Sequence, residues 1–121
     1  GRFRIHVDGK RGEVLREEYI NKKVVLGIRP EDFYEEESAA KLGLVRPYNF
    51  VESTVTAREL LGYEVQIFCS YPKKDLAARL NVSVQSQPGE RMKLYLDMEK
   101  VHFFDKKTES NIFYQQECEG F

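Results

Sequence analysis

Apolar and polar residues alternate with a period of two over much of the chain. Val51, Ser53, Val55 and Ala57 fall on one side of such a pattern, with Glu52, Thr54, Thr56 and Arg58 on the other. Tyr63, Val65, Ile67, Cys69 and Tyr71 form a second inward row, and Leu76, Ala78, Leu80 and Val82 a third. Met92, Leu94, Leu96 and Met98 form a fourth, with Arg91, Lys93, Tyr95 and Asp97 pointing outward. Alternation of this kind belongs to strands with one buried face. Phe3, Ile5 and Val7 repeat it near the N-terminus, and Val101–Phe104 reads as a last short strand. Leu60 follows Ala57 by three positions instead of two, which places a β-bulge between them. Gly9–Gly12, Pro72–Asp75 and Asp105–Asn111 are turn signals, and Ser83–Gly89 is a polar loop.

Two stretches depart from the alternation. The spacing of Val14, Leu15 and Tyr19 predicts a short helix over Glu13–Tyr19, ended by Asn21. Val24–Val25–Leu26–Gly27–Ile28 is a continuous apolar run, which predicts a strand buried on both faces. Pairing should stop at Pro30, which has no N–H for a ladder and biases Arg29 toward extended backbone. Arg29 then stands at the strand mouth, within reach of Glu31 or Asp32 for a local ion pair. Residues 35–49, opening on Glu35–Glu36–Glu37, read as an insertion that is either a short helix or an exposed loop, and 113–121 as a frayed tail. Seven or so short strands with little helix imply an all-β fold: a small OB-like antiparallel barrel with additional N-terminal strands and one short helix.

Composition narrows the function classes. At 121 residues the chain is expected to form one domain with a real core. Nineteen Lys and Arg against twenty Asp and Glu leave a net charge of −1, without the concentrated positive footprint that broad phosphate-backbone binding needs. No apolar run reaches the roughly 20 residues of a membrane span. Cys69 lies in a strand pattern and Cys118 in a polar tail, so neither a disulfide framework nor a zinc knuckle is suggested, and a reducing cytosol is the expected setting. The chain opens at Gly1 without a methionine, inside a strand-like pattern. This is expected of an excised piece of something longer, although a trimmed tag scar looks the same.

Few side chains stand in patterns that carry chemistry. Gly9–Lys10–Arg11–Gly12 lacks the spacing and the following Ser or Thr of a phosphate-binding loop. His6 and His102 fall on the polar sides of their strands with no Cys or His at ligand spacing, so no metal is expected. No serine stands in a nucleophile elbow, and the parity of Cys69 places it in a core, where a thiol behaves as an inert small hydrophobe. Tyr95, expected outward on a strand with Arg91, Lys93 and Asp97, is the aromatic that favours an oligonucleotide face, and an exposed aromatic serves as easily as the edge of a protein interface.

The residues also carry a family resemblance. Val25–Glu31, read as VLGIRPE, resembles the "LGIRPE" signature in the C-terminal domain of the ATP-hydrolysing subunits of sugar-import ABC transporters, the maltose, multiple-sugar and glycerol-phosphate group. Arg58–Glu64 resembles the same domain's "ELLG-x-E" element. Gly89–Asp97, with Lys100–Asp105 and Thr108, resembles its closing "GE…K-x-HxFD…T" stretch. The three occur in the family's order and span Val24 to Ile112.

The resemblance implies a TOBE-type regulatory and dimerisation domain with an OB-like core. It would follow a nucleotide-binding domain, in an ATPase that works as a homodimer beneath two membrane permease subunits, at the cytoplasmic face of the membrane. ATP and Mg would belong to that parent protein. This chain lacks the phosphate-binding loop, the ABC signature and the Mg-binding aspartate, so no cofactor, catalysis or nucleic-acid partner is expected of it. Gly27, Arg29, Pro30, Glu31, Glu59, Leu61, Gly62, Phe104, Asp105 and Thr108 are the motif candidates, with structural roles at bends and turns foremost. Two rivals from other classes are a small-ligand sensor, since related TOBE domains bind oxyanions, and an OB-type oligonucleotide binder.

Overall fold

The computed structural model describes residues 5, 7, 9–47, 49–71 and 74–112. The expected N-terminal strand at Phe3–Val7 falls largely outside them, as do the turn residues Pro72 and Lys73, Cys118 and the 113–121 tail. The chain is all-β in character with two short helices. In order it runs α1 (Gly9–Glu18), β1 (Val24–Gly27), a 3₁₀ turn (Pro30–Asp32), β2 (Phe33–Tyr34), α2 (Glu36–Lys41), β3 (Phe50–Leu61), β4 (Glu64–Tyr71), β5 (Lys74–Asn81), β6 (Arg91–Leu96), a second 3₁₀ turn (Met98–Lys100) and β7 (His102–Asp105). These elements form two compact units, one from Arg29–Glu99 and the other from Val7–Ile28 with 100–112.

The larger unit is an OB-like barrel. Five antiparallel strands form one sheet in the order β2–β6–β3–β4–β5. Its edges approach each other, since β5 packs against β2 and against the 3₁₀ turn at Pro30–Asp32. The interior is filled by Val51 and Val55 of β3, Val65, Ile67 and Cys69 of β4, Ala78 and Leu80 of β5, Leu94 and Leu96 of β6, and Phe33 of β2, all buried. These are inward rows of the alternation, with departures: Tyr63, at the hairpin tip, is 91% exposed, and Met92 and Met98 are half-buried. Leu76 is half-buried. Val82 lies beyond β5 and is exposed, its N–H bonded to the Tyr63 carbonyl at 3.2 Å.

The bulge sits earlier than the apolar spacing suggested. Val55 pairs with Cys69 and Ala57 with Phe68, so Thr56 is the extra residue. Beyond it the parity reverses: Ala57 is exposed and Arg58 turns inward, its guanidinium donating to the carbonyls of Val84 at 2.6 Å and Ser86 at 3.3 Å. Leu60, whose position suggested the slip, is 64% exposed. Gly62 opens the two-residue turn into β4 with a φ of 76°, the left-handed first position that a type II′ hairpin uses. Pairing continues through Tyr71 opposite Lys74, so Lys74 and Asp75 belong to β5 and not to a turn.

Residues 35–49 form a short helix with a tethered return. Glu35 caps α2 by accepting from the Ser38 N–H at 3.1 Å and from its hydroxyl. The helix closes in a Schellman arrangement, Leu44 N–H to Ala39 O at 2.8 Å and Gly43 N–H to Ala40 O at 3.2 Å. It packs on β2 and β6 with Ala39 wholly buried. That cover overturns the outward reading of Tyr95. This residue is 3% exposed, pairs with Tyr34 and Phe50 across the ladder, and lies 5.4 Å from the Phe50 ring. Strand parity does place it opposite Leu94 and Leu96, but the outer face at this point has its own layer.

Asn49 ties the return to the barrel. It is buried, accepts from Arg46 N–H at 3.1 Å, and donates to Leu44 O at 2.6 Å and Leu96 O at 3.3 Å. Asn49→Ala leaves these groups without partners in a dry place, and we expect a loss of about 2–3 kcal/mol in urea unfolding. A loss below about 0.5 kcal/mol, the level of an ordinary surface change, sinks this account.

Candidate functional site

The motif residues divide between the two units. In the barrel unit, Arg29 has extended backbone (φ −79°, ψ 149°) and precedes the 3₁₀ turn that starts at Pro30. The turn is closed by the Arg29 carbonyl, which accepts from Asp32 N–H at 3.0 Å. The guanidinium makes no capping hydrogen bond, so the end-cap role assigned to that side chain belongs to its backbone. Glu31 is exposed and Asp32 buried. Glu59 pairs with Gln66 across the β3–β4 ladder on the exposed end of the hairpin, and Leu61 and Gly62 complete its tip.

The smaller unit brings four motif residues together. β1 and β7 pair antiparallel, with Val24 opposite Asp105, Val25 opposite Phe104, Leu26 opposite Phe103 and Gly27 opposite His102. Val25 is 47% exposed, against the doubly buried reading of the apolar run. Gly27 has a steric role, because a Cβ built there would lie 2.7 Å from Cε2 of Phe104. The aromatic ring occupies the space that a side chain at position 27 would take.

Asp105 organises the turn after β7. Its Oδ1 accepts from the N–H groups of Lys107 at 2.8 Å and Thr108 at 3.1 Å, and its carbonyl accepts from Glu109 N–H at 2.8 Å. Thr108 Oγ1 in turn accepts from Ser110 N–H at 3.3 Å. Its second carboxylate oxygen takes the Tyr19 hydroxyl at 3.0 Å, anchoring the residue that follows α1. Donation from the Thr108 and Lys107 N–H groups, and then from Tyr19, holds the Asp105 carboxyl below the usual carboxylate range. The same contact pushes the Tyr19 phenol above its ordinary value, since the phenolate would face a carboxylate. Arg11 completes the anchoring: its guanidinium stacks 4.9 Å from the Phe103 ring centre and donates to the Val101 carbonyl. This tertiary anchor explains why α1 begins at Gly9, where the glycine-rich stretch suggested a turn.

Among the described residues no cluster of three His, Cys, Asp or Glu could hold a metal ion. His102 Nδ1 lies 3.2 Å from the Asn111 amide. Burial raises the Cys69 thiol, with the Ser53 hydroxyl acting in the opposite direction, which disfavours a thiolate nucleophile. No helix among the described residues is long and apolar enough to cross a membrane.

Residues 26–104 match the TOBE domain family, a span that opens in β1, closes in β7 and contains the whole barrel sheet. The chain belongs to the TOBE domain family. Within this TOBE domain, Gly27 and Phe104 stand at the two ends of the matched span and touch each other. The chain is 38% identical over 103 residues to the oligosaccharides import ATP-binding protein MsmX of Bacillus subtilis, covering 83% of this chain and 27% of that protein. It is 35% identical over 92 residues to the multiple sugar-binding transport ATP-binding protein MsmK of Streptococcus mutans, covering 76% and 24%. It is 32% identical over 116 residues to the trehalose/maltose import ATP-binding protein MalK of Thermococcus litoralis, covering 93% and 30%. The TOBE chain thus spans between about a quarter and a third of the length of these curated relatives.

Tyr19, Arg11, Asn49 and Arg58 carry much of this geometry and were not singled out from sequence. Tyr19 is 86 positions from Asp105, and Arg11 is 90 from Val101, separations at which no local spacing signal exists.

Two outcomes follow. Gly27→Ala should destabilise the ribbon by about 1–2 kcal/mol through overpacking, and Phe104→Leu in the same chain should return part of that loss. Arg29→Ala, an exposed position, should stay within about 0.5 kcal/mol. Additive losses at 27 and 104 in denaturant unfolding would exclude the steric pairing. The second concerns pH. The native Asp105 pKa lies below its unfolded value, so its stabilisation is complete above the ordinary carboxylate range, near 3.9, and is lost as pH falls through the native value. The gap in melting midpoint between wild type and Asp105→Asn should therefore narrow as pH falls below about 4. A constant gap would assign the effect to shape instead of charge.

Proposed function

We propose that this chain is the C-terminal regulatory and dimerisation domain of the ATP-binding subunit of a sugar importer, with no catalysis of its own. The observation that carries this reading is the pattern of coverage. Three relatives named as sugar-import ATP-binding proteins align with 76–93% of this chain, yet it amounts to only 24–30% of their lengths. A domain-sized portion of such a subunit fits that pattern. ATP and Mg are then held by the remainder of the subunit. The partners are the subunit's own nucleotide-binding domain, a second copy of the subunit and the membrane permease subunits, at the cytoplasmic face of the membrane.

The physical character of the domain supports the assignment. Its motif residues act in geometry: a steric pair at Gly27 and Phe104, a turn at Pro30, and a carboxylate hub at Asp105. The oligonucleotide alternative rested on Tyr95, which is covered by α2.

Sedimentation equilibrium across a concentration series tests the dimerisation role, and equilibrium dialysis with Mg–ATP together with a phosphate-release assay tests the absence of catalysis. We expect a reversible dimer and no saturable nucleotide binding. A strict monomer overturns self-association on this domain's own surface, and saturable ATP binding with turnover overturns the non-catalytic reading.

A further inference from the structure

The turn from α1 into β1 and the turn after β7 meet beside the ribbon. In the first, Asn21 takes left-handed backbone (φ 59°) and the Lys22 N–H donates to the Tyr19 carbonyl at 3.0 Å. The second is fixed by Asp105, whose Oδ1 accepts from the Lys107 N–H at 2.8 Å and whose carbonyl accepts from Glu109 N–H. Val24 pairs with Asp105, so Lys23 and Lys106 are the residues next beyond that pair, each with a second lysine beside it. Lys22, Lys23, Lys106 and Lys107, with Glu18, Tyr19 and Asp105, line an open groove of about 820 Å³, and all seven belong to the smaller unit.

Positive charge collects here without a local use. Four exposed ammonium groups face the carboxylates of Glu18 and Asp105, a formal balance of +2. Asp105 is already engaged through both oxygens, by the Tyr19 hydroxyl and by the Lys107 and Thr108 N–H groups. Lys22 acts on its carboxyl only through the field, and less than those donors do. Among the described residues none of the four lysines forms a salt bridge. Like charges gathered on adjoining segments repel and weaken a fold. An anion in the groove relieves that repulsion.

The residue types narrow the anion. A guanidinium fork matches a planar carboxylate through two parallel bonds, while an ammonium is a compact point charge that suits a phosphate from any side. All four cations here are lysines. They are divided between two backbone segments, so a phosphate held by Lys22 and Lys23 leaves Lys106 and Lys107 for another. A single small oxyanion would fill a minor part of the volume, and the turn's N–H groups at Lys107 and Thr108 are spent on Asp105. Tyr19, its hydroxyl likewise taken, contributes a ring with the Lys22 ammonium 6.0 Å from its centre, a surface for the carbon body of a ligand. We propose that the groove binds a small organic bisphosphate, a compact carbon body bearing two separated phosphate groups, one held by Lys22 and Lys23 and the other by Lys106 and Lys107. The site stands apart from the dimerisation reading, since a bisphosphate bound by a chain that stays monomeric leaves it intact.

Isothermal titration calorimetry of the full chain with fructose 1,6-bisphosphate tests it, beside fructose 6-phosphate, pyrophosphate and an oligoglutamate peptide at one ionic strength. The bisphosphate should bind saturably, one per chain, and about tenfold or more tighter than the monophosphate or pyrophosphate, whose groups reach one lysine pair at a time. Raised salt should weaken it. K22Q/K23Q and K106Q/K107Q should each lower the affinity about tenfold or more, and Lys10→Gln, at an exposed lysine outside the groove, should leave it unchanged. Both double variants should melt no lower than wild type, because each removes like-charge repulsion. Should one of them fail to fold, the other reads the same loss from the opposite side of the groove. No saturable binding, a bisphosphate no tighter than fructose 6-phosphate or pyrophosphate, or an affinity untouched by the double variants overturns the site. Oligoglutamate bound as tightly overturns its preference for phosphate, and midpoints lowered in both double variants overturn the account of the cluster as uncompensated charge.

Discussion

The curvature of β3 is the constraint from which the barrel follows. A twelve-residue strand pairs with β6 over its first half and with β4 over its second. A flat strand of that length would leave the two edges of the sheet far apart and the inward rows open to water. The extra residue at Thr56 bends the strand and increases its local twist. Closing the sheet then buries the short apolar rows of β4, β5 and β6 on one another. The same reversal of parity turns Arg58 inward, where it holds the 83–89 loop through carbonyls instead of lying in solvent.

The smaller unit meets the opposite problem, since two strands of four residues bury little. Its order comes from specific contacts between distant segments. Arg11 spans Phe103 and Val101, Tyr19 reaches Asp105, and the Phe104 ring fills the space above Gly27. Asp105 holds this end together, its carboxylate shared between the turn that follows it and the residue after α1.

Read together, the two units describe a domain whose chemistry lies in surfaces and turns. The motif residues supply steric fit and chain reversal.

Much of the barrel could be read from the chain alone, because its driving force is periodic. Burial on one face of a strand imposes a period of two, and the rows around Val51, Val65, Ala78 and Leu94 record it directly. The family signature was legible for a related reason, since steric requirements at Gly27 and at the turn after Asp105 restrict single positions. Tertiary structure decided what depends on a second layer or on a distant partner. Tyr95 is buried because α2 covers a face that alternation alone assigns to solvent, and Val25 is exposed although it lies in a continuous apolar run. The bulge fell at Thr56 because register answers to the partner strand, whose Cys69 and Phe68 fix the slip, and apolar spacing on β3 alone carries no record of β4. The lysine groove and the Tyr19–Asp105 contact join residues more than eighty positions apart, a proximity that only chain folding creates.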